Sequence, residues 1–87
     1  MKQTTLYIGS NNETKLLEIE KIESILVQWL SDFTITLATG YYKGGKENTA
    51  VVTIIGEYNL GIIPMLKTEL KQECILVVEQ IVSSKLQ

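Results

Sequence analysis

Two short clusters hold the side chains best suited to chemistry in this chain. Ser10, Asn11 and Asn12 lie near the N-terminus, and Tyr41, Tyr42, Lys43, Lys46 and Glu47 surround the pair Gly44-Gly45. Hydroxyl, carboxamide and ammonium groups suit an anion or a nucleotide phosphate, above all if the first cluster opens a helix whose backbone N–H groups point outward. The tyrosines can stack on a base. Glu47, the single acid of the tyrosine-rich segment, is the candidate polar anchor. The same residues also fit a solvated turn with two ordinary lysines, with Glu47 in a cross-strand contact with Tyr42. The glycines do not make a phosphate loop, because no Lys-Ser or Lys-Thr follows them.

The composition removes several classes. Without histidine there is no imidazole ligand, imidazole base or histidine pH switch. Cys74 is the one cysteine, so no intrachain disulfide or thiolate cluster can form, and no metal or cofactor is expected. It falls on an apolar stripe and reads as a buried structural thiol, since no histidine exists to activate it. All eight positive charges are lysines against ten acids, a net charge of −2. An acidic chain without arginine lacks the usual means of reading guanine edges and phosphates, so neither DNA nor RNA is an expected partner. No basic amphipathic segment points to a membrane surface. Glu18, Glu20 and Glu23 spread around a helix instead of converging, and no residue is nominated as catalytic. A small enzyme using Tyr, Lys or Glu stays open, behind a binding role.

The elements that must position these residues follow from periodicity. With 87 residues, 45% of them hydrophobic, the chain supports one domain, 1–87. Thr4 to Gly9 reads as a strand, and Ser10 with Glu13 has capping-box spacing for a helix from about Lys15 to Leu30. Ile19, Ile22, Ile25 or Leu26, and Trp29 form its stripe. Phe33 to Lys43 and Glu47 to Gly56 read as a hairpin closed by Gly44-Gly45, with Lys43 opposite Lys46. Leu37 then faces Val52, Ile35 faces Ile54, and Tyr42 faces Glu47. Asn59 to about Glu73 is a second helix with Pro64 in its first turn and Ile62, Leu66, Leu70 and Cys74 as its stripe. Ile75 to Ile81 or Val82 closes the chain as a last strand. This βαββαβ order predicts an α+β, ferredoxin-like fold: a four-stranded antiparallel sheet with two helices on one face, its first and third strands central. The topology brings the loop after the first strand and the glycine turn to one edge.

The face away from the helices is expected to carry Tyr7, Ala38, Val51, Ile55, Ile75 and Val77. An open sheet normally shows strongly polar residues to water. Leaving Val51, Ile55, Ile75 and Val77 wet forfeits about 1.5–3 kcal/mol each. A homo-oligomer, dimer or higher, is therefore expected through this face. No apolar run is long enough to span a bilayer and the N-terminus lacks a signal peptide's apolar stretch, so a cytoplasmic location is expected.

Leu6-Tyr7-Ile8-Gly9, Ala38-Thr39-Gly40-Tyr41-Tyr42-Lys43-Gly44, Glu47-Asn48-Thr49 and the apolar segment from Cys74 to Glu79 give the chain a resemblance. It resembles small accessory proteins of phages, prophages and plasmids of Gram-positive bacteria. That resemblance implies a non-enzymatic, oligomeric binding protein with an anti-defence role. One form would sequester an anionic nucleotide signal, and another would bind and inhibit a host protein. It transfers no functional residue.

Overall fold

The computed structural model describes residues 1–11, 13–72 and 75–83. The elements run β1 (Lys2–Ile8), α1 (Ile19–Trp29), β2 (Thr34–Tyr42), β3 (Gly45–Ile55), α2 (Ile62–Glu69) and β4 (Leu76–Ile81). The sheet is antiparallel with strand order β2-β3-β1-β4, so β1 and β3 are central as expected. Both helices cover one face, which gives the ferredoxin-like α+β fold. Leu6 and Ile8 of β1, Ala50, Val52 and Ile54 of β3, and the stripes Ile22, Ile25, Leu26 and Ile62, Leu66, Leu70 are buried between sheet and helices. Their removal from water is the main stabilising term of the domain.

Helix α1 begins four residues later than the sequence suggests, and the Ser10–Glu13 capping box does not form. Asn11 is the reason. Its Oδ1 accepts the Glu13 and Thr14 amides at 2.7 and 3.1 Å. Its backbone carbonyl accepts the Lys15 amide at 2.8 Å, and its own N–H donates to the Leu16 carbonyl at 2.9 Å. A short carboxamide thus gives the backbone a turn in place of a helix. Lys15 adopts the left-handed region, φ 64°, which ends any helical path there. The apolar stripe starts only at Ile19.

The hairpin closes one residue earlier than Gly44-Gly45. Lys43 (φ 51°) and Gly44 (φ 79°) are the central pair and Tyr42 faces Gly45, the two positive φ values of a type I′ turn. Pairing shifts by two positions: Leu37 opposes Ala50, Ile35 opposes Val52, and Glu47 opposes Gly40 instead of Tyr42. A two-residue shift leaves every side chain on its face, so the apolar pattern is blind to it. This register needs a glycine at 40, because a Cβ there would lie 2.6 Å from Thr49 Oγ1.

Tyr7, Ala38, Val51 and Ile55 are on the open face, as expected. Ile75 and Val77 are not. Val77 pairs with Leu6, which turns both residues toward the helices and against the core, and Leu76 and Val78 take the open face. The run Ile75-Leu76-Val77-Val78 has no alternation, so only the pairing with β1 sets its parity. Helix α2 has Pro64 in its first turn and is shorter than expected. It ends in a left-handed cap: Lys71 has φ 54° and the Gln72 amide donates to the Lys67 carbonyl at 3.0 Å. Cys74 lies outside the described residues, as does Asn12.

Candidate functional site

Strand β1 stops pairing at Ile8, opposite Ala50, while the β2–β3 hairpin continues to Tyr42 and Gly45. Beyond Ala50, β3 has no strand on its β1 side, and the loop after β1 serves its polar groups. The Ser10 hydroxyl donates to the Asn48 carbonyl at 3.3 Å, and the Ser10 amide donates to Glu47 Oε2 at 3.2 Å. A Cβ on residue 9 would come within 2.5 Å of Glu47 Oε1, so Gly9 makes room for that carboxylate. From the other side, Gln72 Nε2 donates to the Gly9 and Ser10 carbonyls at 3.2 and 2.5 Å. The cap at the end of α2 sets where Gln72 stands, so the Gly9-Ser10 loop is held between β3 and α2.

The result is a cleft of about 770 Å³ lined by Ser10, Lys15, Tyr42, Lys43, Gly45, Lys46, Glu47 and Asn48. Its volume falls within the usual range for small-molecule sites. Lys43 Nζ lies 5.4 Å from the centre of the Tyr42 ring, a cation–π distance. Among the described residues the ion pairs are those of Lys2 with Glu57 and Glu79, and Lys15, Lys43 and Lys46 form none. The cleft therefore offers three ammonium groups, one carboxylate, an aromatic ring and a hydroxyl. No cluster of metal-binding side chains occurs among the described residues.

Five of the residues nominated from sequence meet here: Ser10, Tyr42, Lys43, Lys46 and Glu47. Asn11 does not. It is buried, shaping the loop, and its Nδ2 donates to Glu18 Oε1 at 2.7 Å. Tyr41 is 73% exposed and on the sheet side opposite Tyr42, because consecutive strand residues alternate. The expected helix N-terminal amides are also absent, since α1 starts at Ile19. Lys15 was hidden by its assignment to the helix, although the polar run before it contains nothing to begin an apolar stripe. Asn48 and Gly45 enter through their place in the hairpin.

No family model and no curated protein matches the chain. Solved structures do share its fold. A phage SAM lyase in complex with S-methyl-5'-thioadenosine is 18% identical, the match covering 91% of this chain and 79% of that one with a TM-score of 0.66. A DUF3240 family protein from Shewanella baltica is 14% identical, over 99% and 94% of the two chains, with a TM-score of 0.63. At these identities the likeness establishes the fold. No helix among the described residues is long and apolar enough to cross a membrane.

Proposed function

We propose that this chain is a small cytoplasmic enzyme of a phage or other mobile element that takes an adenosyl sulfonium into the cleft and cleaves it. The observation that carries this reading is the mixed lining: one carboxylate and three lysines, none of them ion-paired among the described residues, around a tyrosine ring. S-adenosylmethionine is a net cation, and the lining meets it in parts: a lysine for its carboxylate, Glu47 for its ammonium or sulfonium, and an aromatic ring for its flat base. Tyr42 would face the base. Glu47, held by the Ser10 amide, would take the ribose hydroxyls or the cationic end. The shared fold with a phage SAM lyase supports the class of ligand.

The chemistry asks little of the protein. The substrate's own carboxylate oxygen attacks Cγ, the Cγ–S bond breaks, and its electron pair returns to sulfur. Neutral S-methyl-5'-thioadenosine and a protonated amino-lactone result. Charge is conserved, no proton moves and no water enters, so the absence of histidine is no obstacle. The protein's part is to hold the reacting atoms close and in line, a contribution that can reach several kcal/mol.

A second reading, sequestration of an anionic nucleotide without turnover, is favoured by the three lysines alone. Incubation with S-adenosylmethionine, followed by chromatography for S-methyl-5'-thioadenosine, separates the two. Product that disappears in Tyr42→Ala and Glu47→Gln supports the enzyme. Binding of a cyclic dinucleotide by calorimetry, with no turnover of S-adenosylmethionine, supports sequestration. If none of these compounds binds, the ligand reading fails and a protein-binding role takes its place.

A further inference from the structure

We propose that the open face of the sheet seats a second copy of this chain, and that the copy borders the cleft. The face comprises the odd-numbered residues of β1 and β3 and the even-numbered residues of β2 and β4. The chain has eight lysines and ten acids, yet Glu47 is the sole charged residue at these positions. That one carboxylate accepts the Ser10 amide at the rim. The middle of the face is Tyr7, Val51, Leu76 and Val78, and Leu76 is 61% exposed. A sheet face turned permanently to water is normally strongly polar.

The lack of charge selects the occupant. A basic or acidic partner would find little to pair with and would lose hydration, whereas an identical face, apolar at its middle with its one carboxylate at the rim, meets its own kind in a symmetric assembly. The size also fits. With strands about 4.8 Å apart and a rise of about 3.4 Å, the face covers roughly 550 Å² in flat projection, so a pair buries about 1,100 Å² before side-chain relief is added. Specific stable interfaces start at about 1,200 Å². Tyr42 and Glu47 belong both to this face and to the cleft, so the second copy forms a further wall of the site. That last step rests on the ligand reading above, and the assembly itself does not.

The test is the mass of the whole chain by sedimentation velocity from about 1 to 100 µM. The wild type is expected to be a dimer or larger. Leu76→Lys and Thr53→Glu each place a charge at the contact and should weaken assembly at least about 100-fold, to a monomer that retains its circular dichroism spectrum. Leu60→Lys, equally exposed but off the face, should leave the mass unchanged. If one face variant misfolds, the other decides. A monomeric wild type at 100 µM overturns the proposal, as does an oligomer that both face variants leave intact or a face occupied by another protein. Neither Leu76 nor Thr53 lines the cleft, so a fall of about tenfold or more in affinity for S-methyl-5'-thioadenosine in the monomeric variants marks the partner's wall. Unchanged affinity overturns that wall. A wild type that binds no S-methyl-5'-thioadenosine refutes the ligand reading and leaves the mass measurement to decide assembly.

Discussion

Gly9→Ala tests the contact that organises the cleft. Gly9 is not in the left-handed region, so its backbone tolerates alanine. The obstacle is the Glu47 carboxylate, whose Oε1, Cδ and Oε2 would lie 2.5, 2.9 and 3.0 Å from the new Cβ. The end of a flexible side chain can move, and in doing so it leaves the Ser10 amide. A hydrogen bond to a charged group is worth about 1.5–3 kcal/mol. The site is only part-buried and water can replace the carboxylate, so a loss of about 1–2 kcal/mol is expected. Replacing glycine returns about 0.4–1 kcal/mol through the unfolded chain. The net cost in the wild type is then about 0–1.6 kcal/mol, read as a lower midpoint in urea at unchanged slope. In a Glu47→Ala background the bond is already gone, and Gly9→Ala should stabilise by about 0.4–1 kcal/mol. The signature is the gap of about 1–2 kcal/mol between the two backgrounds. Equal effects in both backgrounds, within the roughly 0.3–0.5 kcal/mol of ordinary additivity, would show that Gly9 and Glu47 do not interact.

Other substitutions probe the rest of the frame. Gln72→Ala removes the amide bridging α2 to the Gly9 and Ser10 carbonyls. It should cost about 1–2 kcal/mol and speed hydrogen exchange at Ser10 while the Leu6 amide in the central strand stays protected. Lys71→Gly relieves a left-handed lysine at the helix cap and should stabilise by about 1 kcal/mol, raising Tm by about 4–8 °C. Leu66→Ala empties a fully buried position beneath the sheet and should cost about 2–5 kcal/mol in denaturant unfolding.

How far the sequence reveals this molecule depends on how often a residue's role is set by its neighbours in the chain. Alternation in Leu6 and Ile8 and in Ala50, Val52 and Ile54 defines strands whose buried face is unambiguous, and the stripe Ile62, Leu66, Leu70 defines α2. These signals are local and repeat, so the topology was legible. The turn was not, because Lys43-Gly44 and Gly44-Gly45 both supply positive φ and both keep the apolar faces aligned. The parity of β4 was not, because four consecutive apolar residues carry no period. The start of α1 turned on one carboxamide, Asn11, whose preference for a turn over a cap depends on its bonds to Glu13, Thr14 and Glu18. For the site, the hairpin residues Tyr42, Lys43, Lys46 and Glu47 could be nominated from their types. That Ser10 and Gln72 hold the opposite wall is a matter of long-range contact, with no periodic trace.

The cleft lies where the β ladder runs out. Between Lys2 and Ile8 every position of β1 is committed to strand pairing and core, and a ligand there would have to break backbone bonds. Past the Ile8–Ala50 pair the same sheet offers β3 polar groups that side chains satisfy instead: Ser10 Oγ on the Asn48 carbonyl, and Glu47 on the Ser10 amide. Such bonds are individually worth about 1 kcal/mol net or somewhat more, little enough for a ligand's hydroxyls and amines to exchange with them. Gln72 meanwhile keeps the loop from collapsing into the gap it borders. The fold thus builds a rigid sheet up to one pair of residues and an adaptable polar wall immediately after it. That boundary, more than any single side chain, is what puts the proposed recognition site at this end of the molecule.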